Sequence, residues 1–110
     1  MRAMANNQSD TDAVRITVME AIAGSVLVTA RYNGQTLTLA PHALFSRHGD
    51  LFVSALNLSK NRRSDDEPRL GVFKIAGLAA VERTDEAFEA LPDTAASVTR
   101  PGDELILTVA

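Results

Sequence analysis

Apolar residues recur at four-residue spacing from Val14 through Val18 to Ile22, with Met19 and Ala21 widening the stripe and Arg15 and Glu20 lying off it. That is the spacing of one buried helix face. Thr11 or Asp12 can cap the start, and Gly24 is placed to end the helix in a left-handed conformation, which gives one helix of about twelve residues. Residues 1–11 are small and polar and read as a disordered leader, with residues 12–110 as one domain. After Gly24 the period changes. Residues 26–32 (VLVTARY) are rich in β-branched side chains and run into Asn33-Gly34, the strongest two-residue hairpin signal. In residues 35–40, Leu37 and Leu39 alternate with Thr36 and Thr38, as on a half-buried strand. Pro41 is expected to end regular pairing or to sit at an edge. Residues 43–47 and 51–58 then form a second hairpin across His48-Gly49-Asp50.

Residues 59–68 contain no apolar side chain other than that of Pro68 and read as a mobile loop. A fifth strand is expected over 69–75 and a short extended piece over 78–81. Thr84-Asp85-Glu86 looks like the cap and acidic first turn of a short C-terminal helix that holds Phe88 and stops by Pro92. Pro101-Gly102 is a turn, and residues 104–109 a last strand. This is too little material for a two-layer sandwich and enough for a small, strongly curved antiparallel β-barrel with an N-terminal helix, so the fold class is mainly β.

Composition adds exclusions. With 45% hydrophobic and 23% charged residues the chain is an ordinary globular domain. It has no cysteine, which removes disulfides, thiolate zinc sites and a cysteine nucleophile, and fits a reducing cytoplasm. No apolar run is long enough for a signal-peptide core or a membrane span, so the expected setting is cytoplasmic, without membrane contact. The net charge of −3 is unevenly spread. Residues 42–74 carry six cations against four acids, and residues 75–110 two cations against seven acids, so a mildly basic middle precedes an acidic tail. The total argues against indiscriminate binding to nucleic acid, and the middle block is where an anion would bind.

Ala21-Ile22 followed by residues 26–32, then Pro41-His42-Ala43-Leu44-Phe45, then the run from Arg47-His48-Gly49-Asp50 to Ala55, then residues 69–75, resembles the WYL domain in order and spacing. The resemblance covers about residues 14–90. Its most specific part is residues 41–55, where the family's Trp-Tyr-Leu triplet corresponds to Leu51-Phe52-Val53. The family's final Asp-Arg-Ile falls on Ala76-Gly77-Leu78, so its Asp and Arg are missing. The resemblance implies an SH3-like or Sm-like barrel and a ligand-sensing module of bacterial transcription regulators, with single-stranded nucleic acid or a nucleotide as ligand and a separate DNA-binding regulator as partner. It places the family's central aromatic on Phe52 and its basic strand positions on Arg69 and Lys74.

The residues themselves support a related site. His42, Arg47, Arg69 and Lys74, with Arg62 and Arg63 on the loop, offer charge and guanidinium forks for phosphate, and Phe52 offers a stacking face for a base. The bland alternatives are a core Phe52, a His42 that bonds backbone, and cations paired with the loop carboxylates. Ser46, His48 and Asp50 resemble a catalytic set in composition only, because Gly49 turns the chain between them and no nucleophile elbow accompanies them. Two histidines six residues apart do not make a metal motif, and Asn57-Leu58-Ser59 is a glycosylation sequon with no secretory signal to use it. The expectation is a non-enzymatic module without cofactor that binds an anionic ligand. The alternative is a protein-interaction or self-associating module, a homo-oligomer, that has lost ligand binding.

Overall fold

The computed structural model describes residues 7–59, 70–91 and 101–109. Helix α1 spans Asn7–Gly24 and buries Val14, Val18, Ala21 and Ile22. It starts before the expected cap at Thr11 or Asp12. No glycine or proline interrupts residues 7–12, so nothing in the sequence stops the helix short of Thr11. The left-handed residue that ends α1 is Ser25 (φ 54°), not Gly24, and its N–H reaches back to the Ile22 carbonyl at 3.3 Å.

Strands β1 (Val26–Tyr32) and β2 (Gln35–Arg47) form the expected hairpin. Tyr32 pairs with Gln35 across Asn33 (φ 52°) and Gly34 (φ 79°), the two positive φ values of a type I′ turn. β3 (Asp50–Asn57) follows through a second such turn. Its central residues are His48 (φ 53°) and Gly49 (φ 83°), so Asp50 belongs to the strand and pairs with Arg47.

Pro41 does not end the strand. β2 runs unbroken through it, because Pro41 lies where no neighbour needs its missing N–H. β1 pairs with β2 only as far as Leu39, and the last strand takes over the same partner from Ala43. On the β3 side the ladder steps from Pro41↔Ala55 to Ala43↔Ser54, which leaves His42 as the extra residue of a bulge.

β4 (Gly71–Lys74) pairs with β3, a one-turn 3₁₀ helix (Ile75–Gly77) follows, and β5 (Ala79–Ala87) pairs with β1. The helix expected at Thr84 is therefore corrected to strand as far as Ala87. The cap chemistry is present but is used inside the sheet. Where the β1–β5 register slips between Val26 and Val28, the Thr84 hydroxyl donates to the Leu27 carbonyl at 2.8 Å and accepts the Glu86 N–H at 3.1 Å. β6 (Glu104–Thr108) pairs with β2.

The sheet order is β4-β3-β2-β1-β5, with β6 added on β2, and every pairing is antiparallel. The sheet curls strongly: Tyr32 on β1 meets Phe73 on β4 edge to face at 5.4 Å although two strands lie between them. Among the described residues no ladder joins β4 to β5, so the architecture is a curled, antiparallel six-stranded sheet that the described ladders do not close. Val14, Val18 and Ile22 of α1 share one core with Val28, Leu39, Leu44, Val53 and Ile75. No described helix is long and apolar enough to cross a membrane. The loop expected over 59–68 lies outside the described residues from residue 60 on, and the end of the C-terminal helix expected by Pro92 lies outside them too.

Candidate sheet face around Phe52

Side chains alternate along β2 and β3, so Leu44 and Val53 enter the core while their neighbours Phe45 and Phe52 project from the opposite face. Phe45 and Phe52 are cross-strand partners and their rings stack at 5.8 Å with 19° between planes. The row extends to Lys74 of β4 on one side and to Leu105 of β6 on the other. Two residues along β2 from Phe45, the Arg47 guanidinium lies 5.2 Å from the Phe45 ring centroid and 5.7 Å from that of Phe52. Phe45 is fully buried and Phe52 half-buried.

Among the described residues the charges on this face are matched in pairs. Arg47 grips Asp103, which immediately precedes β6, through two bonds of 2.9 Å from Nε and Nη2. The Asp103 side chain is only 4% exposed. This paired, forked geometry fixes the guanidinium plane over the two rings and holds its pKa above the ordinary value, through the hydrogen bond to Asp103 first. Lys74 lies 3.5 Å from Asp50 across the open edge, both half-exposed. Two cations thus meet two carboxylates. Around them Leu105 is 47% exposed, Ile106 44% and Val72 38%, and Val72 is in register with Ser54 of β3. Ser54 is buried and its hydroxyl has no hydrogen-bond partner.

His42 is elsewhere. Its ring is 1% exposed, and both nitrogens are taken by backbone: Nδ1 is 2.7 Å from the Ala40 carbonyl, and Nε2 accepts the Leu91 N–H at 3.1 Å. Leu91 can only donate there, so the ring proton sits on Nδ1. Burial lowers the His42 pKa, against a smaller upward effect of the Ala40 bond. The structure therefore brings Arg47, Phe52 and Lys74 together and sets His42 apart as a bonded core residue. Arg62, Arg63 and Arg69 lie outside the described residues. Asp103 and Phe45 are not among the site residues that the sequence suggests. Phe45 could have been found from its alternation with Leu44 opposite Phe52, but Asp103 is 56 residues from Arg47 and carries no local signal.

Ser46, His48 and Asp50 span the β2–β3 turn, with His48 and Asp50 exposed, and no described group of three or more His, Cys, Asp or Glu residues could hold a metal. A separate groove of about 670 Å³ lies between α1 and the start of β5. Val14, Thr17, Leu78, Ala80 and Val81 are among its lining, which contains no charged residue among the described ones. Compared with family models, with curated proteins and with solved structures, the chain matches none.

Proposed function

We propose that this chain is a non-enzymatic, WYL-like module with an SH3-like or Sm-like barrel plan, and that it works by associating with a second copy of itself through the β4–β3–β2–β6 face. The observation that carries this reading is the doubly bonded Arg47–Asp103 pair, whose carboxylate side chain is only 4% exposed. A phosphate that needed the Arg47 guanidinium would first have to displace a desolvated carboxylate, and one that used Lys74 would compete with Asp50. The anionic-ligand function implied by the family resemblance thus finds its described cations occupied. Single-stranded nucleic acid and nucleotides are the rival ligands, and a DNA-binding regulator the rival partner.

Self-association is favoured by what remains on the face. Val72, in register with Ser54, and Leu105, in register with Phe45, expose apolar surface beside the Phe45–Phe52 stack. In a two-fold contact a patch meets its own image, so a patch of one sign repels itself and an internally neutral one does not. Arg47 with Asp103 and Lys74 with Asp50 make this face neutral in pairs. The test is fluorescence anisotropy with a labelled single-stranded oligonucleotide at low salt, where electrostatic attraction is strongest. The reading predicts no saturable binding. Tight binding that weakens with salt and with Lys74→Ala would establish the anionic ligand instead.

A further inference from the structure

We infer that His42 is an acid-sensitive latch: its neutral ring fastens residues 88–91 onto the bulge of β2, and protonation releases them. The geometry assigns each atom a part. Bulging at residue 42 turns the imidazole out of the regular pleat, with Nδ1–H donating to Ala40 two residues back. Nε2 is then the acceptor for Leu91, the last described residue of the stretch that follows β5. Phe88 lies over the ring at 5.1 Å between centroids, and its N–H bonds the Ser25 carbonyl at 3.0 Å. A proton on Nε2 places two N–H donors against each other, and the Leu91 bond is lost. It also puts a cation where water is excluded, on a ring 1% exposed.

Among the described residues the surroundings supply no compensating charge. Opposite the bulge, β3 presents Ala55 and Ser54. At the end of β6, Thr108 and Val109 bond the His42 carbonyl and carry no charge. The covering stretch has one carboxylate, Glu89, which is exposed, and on β2 itself the next charge is Arg47, held by Asp103. Burial works in the same direction by lowering the His42 pKa, so the latch is closed at neutral pH and opens in mild acid.

The test is nuclear magnetic resonance on the intact labelled chain, titrated from neutral pH into mild acid. It follows the His42 ring nitrogens and the hydrogen exchange of the Leu91 amide, corrected for the pH dependence of chemical exchange. The expected result is an Nδ1-protonated ring at neutral pH and a titration midpoint below the ordinary value of about 6.5. Leu91 exchange should accelerate at least about tenfold along that midpoint while the Leu44 amide in the β2–β3 ladder stays protected. His48→Asn removes the other imidazole, and the Leu91 step should persist in it. A His42 midpoint at or above the ordinary value, a Leu91 amide that does not respond, loss of the step in His48→Asn, or Leu91 and Leu44 opening together would overturn the latch.

Discussion

Ala80 has φ 51°, a left-handed backbone in a residue with a Cβ. It sits where the β1–β5 register steps from Thr29↔Glu82 to Arg31↔Ala79, so β5 carries one residue more than β1 across that step, and the position is that of a bulge that usually takes glycine. The left-handed conformation costs an L-residue about 1–2 kcal/mol. Ala80→Gly removes that cost and adds back about 0.5–1 kcal/mol of chain entropy. Because Ala80 is exposed, little packing is lost, and the balance is a gain centred on about 0.75 kcal/mol, or about 3–6 °C in melting temperature. The control is Ala87→Gly, seven residues along the same strand, exposed and with ordinary φ, which should lose about 0.5–1 kcal/mol. Thermal and urea unfolding followed by circular dichroism measure both. If the two variants are destabilised alike, the strained bulge is not there and the β1–β5 register is wrong.

Gly34→Val forces a β-branched residue to φ 79° and should cost more than about 1 kcal/mol in the same unfolding assay. Ser54→Ala removes a buried hydroxyl that bonds nothing, and should raise the urea midpoint rather than lower it. Asp103→Asn should lower the melting temperature more than Asp50→Asn, because Asp103 is 4% exposed and doubly bonded while Asp50 is 53% exposed. His42 contributes a pH dependence of known sign. Its folded pKa lies below its unfolded value, so the contribution is whole above about pH 6.5 and is lost as pH falls from there through the folded pKa, visible as a falling urea midpoint.

Local signals carried the hairpins. Asn33-Gly34 formed the expected two-residue turn with Tyr32 opposite Gln35, and the second hairpin also formed, but across His48-Gly49 alone, so that Arg47 faces Asp50 where a three-residue turn was expected. Signals that depend on a neighbour were misleading on their own. Pro41 reads as a stop, but its effect depends on whether a strand beside it needs an N–H, and that is decided by where β1 ends and β6 begins. Thr84-Asp85-Glu86 reads as a helix cap because a hydroxyl next to acidic residues caps helices; the same hydroxyl closes a slipped register in β5. For the site, Phe52 and Lys74 were legible as candidate residues of two strands, and the β3–β4 register made them a pair. What neutralises Arg47 was not legible, since Asp103 comes from beyond β5 and reaches β2 only through the β6 pairing. His42 was legible as polar and placed beside Pro41, but its burial follows from the bulge.

Sedimentation equilibrium of the intact chain over a wide concentration range tests self-association through the β4–β3–β2–β6 face most directly. The mass should climb from 11.8 kDa toward twice that value as concentration rises. In Val72→Lys with Leu105→Lys, two exposed positions whose change leaves the core intact, it should stay at the monomer value. A native chain that remains monomeric throughout, or a doubly substituted chain that associates as the native one does, would contradict the account.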